Sequence, residues 1–261
     1  MQINHTTRTD LCEIMTRFGS DKGNGLHNYT TFYAHAFGHI RTHRLRIFEL
    51  GLGTNNINLP SNMGKDGKPG ASLYGWREYF PNSLVFGADI DTDILFADDR
   101  LRTYYCDQTD PASIAEMWAH PDLAENFDII VEDGLHTFSA NVCFLENSLH
   151  KLKENGFYIV EDIRNDQIHL FEAKIKEWQK RYTYSFQLLR MPSEINRQDN
   201  NLLIVRNPAG PLYTVSKTTT FKASKAPNAL KAPKAMVKTI VRRNSLKPRA
   251  EIARRRRFIS R

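Results

Sequence analysis

The strongest constraint on the fold is an alternation of short apolar runs with amphipathic stretches. Runs at 46–50 (RIFEL), 84–90 (LVFGADI), 101–106 (LRTYYC), 127–131 (FDIIV) and 157–163 (FYIVEDI) are nearly continuous in apolar residues. Helical stretches lie between them at 72–80, 111–119 and 138–153, the last with Val142, Leu145, Leu149 and Leu152 on one face. A helix at 168–181 precedes two final strands near 184–189 and 202–205. Strands that are apolar on both faces and alternate with helices predict an α/β fold. Its core is a seven-stranded, mostly parallel sheet covered by helices on both sides. Sheets of this kind bind ligands where the carboxyl ends of the strands meet a reversal of strand order. The residues just after each strand are therefore the ones to read.

After the first strand comes Glu49-Leu-Gly51-Leu-Gly53, whose glycines let backbone approach a ligand closely. A dinucleotide fingerprint needs a third glycine at position 56, and Asn56 stands there, so the nicotinamide signal is weak. After the second strand, Asp89 and Asp91 offer acceptors for two ribose hydroxyls. After the third, Asp107-Gln108 offers an acceptor and an amide suited to an adenine edge. Singly, each acid also suits a solvated strand end; together they outline a nucleoside site. The long Gly/Pro/Asn loop at 55–71 is placed as a lid or substrate loop.

The fourth strand ends in Glu132-Asp133-Gly134-Leu135-His136 and the fifth in Glu161-Asp162. Neighbouring strands lie ~4.8 Å apart, so these ends can share one ion. Asp133, Glu161 and Asp162 would form an all-oxygen site for Mg²⁺ or another hard divalent cation. Adjacent strand residues point to opposite faces, so Glu161 and Asp162 both reach the ion only if the backbone leaves the strand there. His136, three residues beyond Asp133, can lean over the same site as general base for a hydroxyl. The bland alternatives are an exposed histidine at a helix start and a polar turn after a strand.

These motifs carry a resemblance that runs from about Phe18 to Val205. FGSDKG with HNYTTFY (18–33), ELGLGTN (49–55), GASLYGWREYFP (70–81), GADID (87–91), DQTD (107–110), VEDGLH (131–136) and GFYIVEDI (156–163) resemble the class I methyltransferases that use S-adenosylmethionine (SAM). More narrowly, the chain is similar to the metal-dependent sugar O-methyltransferases of the macrocin and mycinamicin type and to related bacterial glycan O-methyltransferases. The resemblance implies a Rossmann-like fold and SAM contacts at Glu49, Gly51, Gly53, Asp89 and Asp107. It implies magnesium ligands at Asp133, Glu161 and Asp162, and a base at His136. It also implies an N-terminal segment, with Ser20-Asp21-Lys22-Gly23, His27 and Tyr29, folded over cofactor or substrate, and a tendency to homo-oligomerise. Leu135 departs from the pattern, which has Ser there.

The net charge of +7 divides unevenly. Residues 208–261 hold 15 Lys and Arg against the single acid Glu251, a charge of +14, which leaves −7 for residues 1–207. The expected organisation is an N-terminal helical cap or substrate segment at 1–44, a SAM-binding domain at 45–207 and a flexible basic tail at 208–261. The tail has few large apolar residues; it suits an anionic membrane surface, then a solvated or partner-binding segment, and nucleic acid least, since its only aromatics are Tyr213, Phe221 and Phe258. No run of 18 apolar residues spans a bilayer, and MQINHTTRTD has no apolar core for secretion. Three cysteines without a CxxC pair fit a reducing cytoplasm. His35, His39 and His43 stand four apart, but no carboxylate accompanies them.

Three readings of function follow. The first is a SAM- and Mg²⁺-dependent O-methyltransferase for a sugar hydroxyl of a glycan, glycolipid or glycosylated metabolite. The second is methylation of another vicinal diol or catechol. The third is a non-catalytic module held by its tail to nucleic acid or an anionic surface; it has no need of the acid set or His136.

Overall fold

The structure is a computed structural model that describes residues 8–23 and 25–208. The expectations for the basic tail lie outside the described residues. Eight strands form one sheet: β1 (Arg46–Leu50), β2 (Leu84–Asp89), β3 (Ala97–Asp98), β4 (Leu101–Tyr105), β5 (Phe127–Glu132), β6 (Leu152–Val160), β7 (Ser185–Arg190) and β8 (Asn201–Arg206). Their order is β3-β4-β2-β1-β5-β6-β8-β7. The β4-β2-β1-β5-β6 run is parallel, and β8 is antiparallel to both β6 and β7. The expected count of seven missed β3. It is a two-residue edge strand antiparallel to β4 and exposed at both positions, so it carries no apolar signal.

The six α-helices among the described residues are α1 (Asp10–Phe18), α2 (Tyr29–Phe37), α3 (Ala71–Tyr79), α4 (Pro111–Trp118), α5 (Phe138–Ser148) and α6 (Ile168–Arg181). Local chemistry sets their ends. Thr9 caps α1 by accepting the Cys12 N–H at 3.1 Å, and Gly19 closes it at φ 93°. Asp110 caps α4, whose first residue is Pro111, where a missing N–H costs nothing. Helix α5 stops at Ser148, short of the expected 153, and β6 starts at Leu152 rather than near 157. The cause is an apolar spacing, Leu145, Leu149 and Leu152, that suits a helix face as well as a turn leading into a strand.

Successive strand residues serve opposite faces of the sheet. Phe48, Ile130, Tyr158 and Val160 join one core with Trp118, Phe144, Phe171 and Trp178. Ile47, Ile129, Val131 and Ile159 join the other, with Leu11, Met15, Tyr29, Tyr33 and Trp76. The N-terminal helices α1 and α2 thus share a core with the sheet. Each fully buried Leu, Ile or Phe contributes about 1.5–3 kcal/mol over an exposed one. Packing therefore ties the chain before β1 to the ends of the central strands.

Candidate active site

In register, Leu50 stands beside Glu132, and Glu132 beside Val160. Pairing continues one residue further, from Asp133 N–H to Leu50 O and from Glu161 N–H to Glu132 O, each at 2.9 Å. This sets Asp133 and Glu161 on adjacent strand ends. Beyond them Asp162 lies at φ 54° and His136 at φ 56°, in the left-handed region that L side chains rarely adopt. The turn at Asp162 is the departure from the strand that carries its carboxylate to Asp133 and His136.

Asp133, His136 and Asp162 converge, each offering a ligand atom within 4.8 Å of the others. His136 Nε2 stands 3.1 Å from Asp133 Oδ1, and its Nδ1 stands 3.7 Å from Asp162 Oδ2. Burial opposes the imidazolium, but Asp133 and Asp162 outweigh it and lift His136 to about 10. Burial pushes Asp162 up to about 6, assisted by Asp133 and opposed by His136 and His27. Asp133 resists burial because Lys22 and His136 hold it well below the usual carboxylate range.

Glu161 turns to other partners. Its Oε2 stands 2.5 Å from Lys22 Nζ, and its Oε1 accepts the Tyr33 hydroxyl. Lys22 Nζ also donates to Asp133 Oδ2 and lies 3.6 Å from Glu49 Oε1. Burial opposes the charge on this lysine, but the fields of Asp133, Glu161 and Glu49 outweigh it and keep it well above the usual lysine range. The sequence singled out the segment around Lys22 but not its ammonium as the counter-charge of three acids. The signal is a lysine in a Gly/Ser turn just before a buried aromatic run.

His27 and Tyr29, expected at the substrate or lid, both reach Asp162. Tyr29 donates to Asp162 Oδ1 at 2.7 Å, and His27 Nδ1 lies 3.4 Å from the same oxygen. His27 stacks on Tyr29 with ring centres 4.8 Å apart, and both are buried. Asn196, from the β7–β8 loop, lies 3.2 Å from His27 Nδ1. His35, His39 and His43 take no part in this set.

Beside the set lies a cavity of about 280 Å³, lined by Gly51, Gly53, Asp89, Asp107, Gln108 and Asp133, among others. At Gly51, φ 90°, a Cβ would stand 1.9 Å from Asp133 O, so only glycine lets the first loop pass the fourth strand end. Asp89 accepts the backbone N–H groups of Leu52 at 2.7 Å and Asp91 at 2.9 Å, which fixes its carboxylate at the cavity wall. Asp107 Oδ1 is held by Thr109. Gln108 lines the cavity, yet its Nε2 donates to Glu132 Oε1 at 2.9 Å and its Oε1 accepts Leu135 N–H at 2.7 Å. Glu49 does not line the cavity; Ser72 and Trp76 of α3 donate to its two oxygens. Glu132, which the sequence left without a role, is fully buried and also accepts from Asn141 and Gly134 N–H. The loop at 55–71 reaches this region through Pro60 and Ser61, whose hydroxyl donates to Leu135 O at 3.1 Å.

Without the small β3, the strand order and the single reversed strand β8 are those of the class I methyltransferase fold, and that is the fold of this chain. The chain matches no family model. Over 163 residues it is 30% identical to the 8-demethyl-8-alpha-L-rhamnosyl tetracenomycin-C 2'-O-methyltransferase of Streptomyces olivaceus, covering 62% of this chain and 40% of that protein. It is 34% identical over 156 residues to the L-olivosyl-oleandolide 3-O-methyltransferase of Streptomyces antibioticus, covering 58% of this chain and 36% of the relative. The chain thus spans 40% or less of the length of these curated relatives. Among solved structures it is similar to MycE methyltransferase from the mycinamycin biosynthetic pathway, in complex with Mg, SAH and mycinamycin VI. That likeness has a TM-score of 0.57 and 20% identity, and covers 82% of this chain and 58% of MycE.

Proposed function

We propose that this chain is a SAM- and divalent-cation-dependent O-methyltransferase that methylates a sugar hydroxyl. One observation carries the reading: Asp133 both lines the cavity behind the Gly51–Gly53 loop and belongs to the converging set with His136 and Asp162. The donor set fits a hard cation, and the glycine cradle, Asp89 and Asp107 fit a nucleoside cofactor. The names of the relatives, O-methyltransferases of a rhamnosyl tetracenomycin-C and of an olivosyl-oleandolide, point to the same chemistry.

In this reading Gly51, Gly53, Asp89 and Asp107 hold SAM, with Glu49 and Gln108 shaping the loops around it. Asp133 and Asp162, with Glu161 behind them, hold the cation. SAM supplies an electrophilic methyl group, and a divalent ion supplies a Lewis acid for the accepting oxygen. His136, once deprotonated, would take the proton from the acceptor hydroxyl. His27 and Tyr29 brace Asp162 and close the acceptor side. Much of the rate would come from holding acceptor and methyl in line.

The test is methyl transfer from SAM to a panel of glycans, glycolipids and glycosylated metabolites, read as the gain of one methylene mass, with and without EDTA. Transfer that EDTA abolishes while SAM binding persists is expected. Full transfer in EDTA would overturn the cation assignment, and SAM binding with no transfer to any glycoside would overturn the sugar assignment.

We further propose that the basic segment 208–261 holds the enzyme at an anionic membrane surface on the cytoplasmic side. Basic residues near such a surface contribute ~1 kcal/mol each. No helix among the described residues is long and apolar enough to cross a membrane. Vesicle sedimentation of the full chain and of a chain ending at 207 tests this; equal binding by both would sink it.

A further inference from the structure

We infer that Lys22 fills one position of a two-cation site, so that the centre takes a single divalent ion where its carboxylates have room for two. The inference rests on the cation reading above. Asp133 is the bridge. Its Oδ2 accepts from Lys22 Nζ, while its Oδ1 faces His136 Nε2 at 3.1 Å and so the outer set with Asp162. One carboxylate with an oxygen towards each of two cation positions is the arrangement of paired-metal centres, whose ions stand ~3.5–4 Å apart.

The inner position is built for a cation. Glu161 Oε2 stands 2.5 Å from the ammonium and Glu49 Oε1 3.6 Å from it, and the Lys22 side chain is only 2% exposed. The remaining oxygens of these acids are already used. Tyr33 donates to Glu161 Oε1, and Ser72 and Trp76 donate to Glu49. Asp133 Oδ2 and Glu161 Oε2 are left to converge on the ammonium, and Glu49 Oε1, which also accepts from Ser72, faces it at 3.6 Å. Oxygens so placed suit Mg²⁺ or Mn²⁺ as well as they suit an ammonium.

The ammonium is delivered by the turn after α1. Lys22 N–H donates to Ser20 Oγ at 3.3 Å, and Lys22 O accepts Thr30 N–H at 3.2 Å, which fixes the backbone from which the side chain enters. An ammonium offers charge but no coordination site. The inner position therefore neutralises and orients Asp133 and Glu161 without competing for the acceptor oxygen.

The probe is Mn²⁺ on the full chain, counted by equilibrium dialysis and observed by electron paramagnetic resonance. Lys22→Ala should bind one more Mn²⁺ per chain than the natural sequence. Its spectrum should show exchange broadening from two ions bridged by Asp133. Lys22→Gln, which keeps the stem and a donor, should gain the same ion and covers the case in which the alanine variant fails to fold. Equal Mn²⁺ counts in variant and natural chain overturn the proposal. So does failure of both variants to fold by circular dichroism even with Mn²⁺ present, since the ammonium would then be scaffold. A natural chain that binds no Mn²⁺ sinks the cation reading itself, whereas the difference between variant and natural chain tests Lys22 alone.

Discussion

The phenol of Tyr29 and the aspartate Asp162 hold each other twice: the hydroxyl donates to Oδ1 at 2.7 Å and accepts the Asp162 backbone N–H at 3.3 Å. The pair spans 133 residues and pins a left-handed turn at φ 54°. Tyr29→Phe keeps the buried ring and removes both contacts. A hydrogen bond to a charged group is worth about 1.5–3 kcal/mol, so the variant should lose about that much in urea denaturation. Its Mn²⁺ affinity should fall with it. An unchanged midpoint and unchanged affinity would show that packing alone holds the turn.

His136→Ala should cut turnover roughly 10²–10⁴-fold while SAM affinity, measured by calorimetry, stays within error. Turnover should recover in part at high pH, where solvent takes the proton. Natural turnover in the variant would assign the proton to another acceptor.

The carboxylates that lift His136 to about 10 keep it an imidazolium at neutral pH. A divalent ion between Asp133 and Asp162 cancels that field and should expel the proton. Metal binding at pH 8 should thus release about one proton, read by calorimetry in buffers of different ionisation enthalpy. The sign for stability follows from linkage. A raised histidine contributes its full stabilisation below its unfolded value, near 6.5, and loses it as pH rises towards 10. The metal-free chain should therefore soften between those limits in thermal denaturation, and saturating Mg²⁺ should flatten the slope. A metal-free profile that rises over this range would contradict the assignment.

Gly51→Ala should be the most damaging single substitution in the Gly51–Gly53 loop. The new Cβ would stand 1.9 Å from Asp133 O at a backbone angle of φ 90°. Strain of this kind costs about 1–3 kcal/mol before any clash is counted. Loss of both SAM and Mn²⁺ binding is expected, because Asp133 must move. Gly25→Ala is the control: its Cβ meets nothing within 4 Å, and stability should change by less than about 0.5 kcal/mol.

Gln108→Ala removes the donor to Glu132 and the acceptor of Leu135 N–H in one step. Leaving buried groups unpaired costs about 1–3 kcal/mol each. The turn that carries Asp133 and His136 would loosen, so kcat should fall further than SAM affinity. An equal fall in both would mean that Gln108 acts on the cofactor directly.

The layers and the direction of the sheet were legible in the sequence because buried parallel strands are apolar on both faces. The convergence of Asp133, His136 and Asp162 was legible because the apolar runs mark the strand ends that carry them, whereas the turning of Glu161 to Lys22 and Tyr33 was not. Strand β3 was not, since an exposed two-residue pairing leaves no pattern. The start of β6 was hidden because Leu149 and Leu152 keep helical spacing after the helix has stopped. The partnership of Lys22 with Asp133 and Glu161, 111 and 139 residues away, depends on how α1 and α2 pack on the sheet, and periodicity says nothing of that. The bonds of Gln108 to Glu132 and Leu135 N–H, 24 and 27 residues away, are likewise a matter of how the strand ends pack and not of spacing.

Strand β8 runs against β6, so that Leu203 sits beside Val160 and Arg206 beside Phe157. The strand therefore carries the chain back along the sheet, by about 20 Å for six residues, from the end that holds Asp133 to the opposite one. Asn207 N–H is tied there to Gly156 O at 3.3 Å. A dye, a resin or a fused domain coupled at Asn207 therefore grips the molecule by the heel of its sheet, at the far end from Asp133.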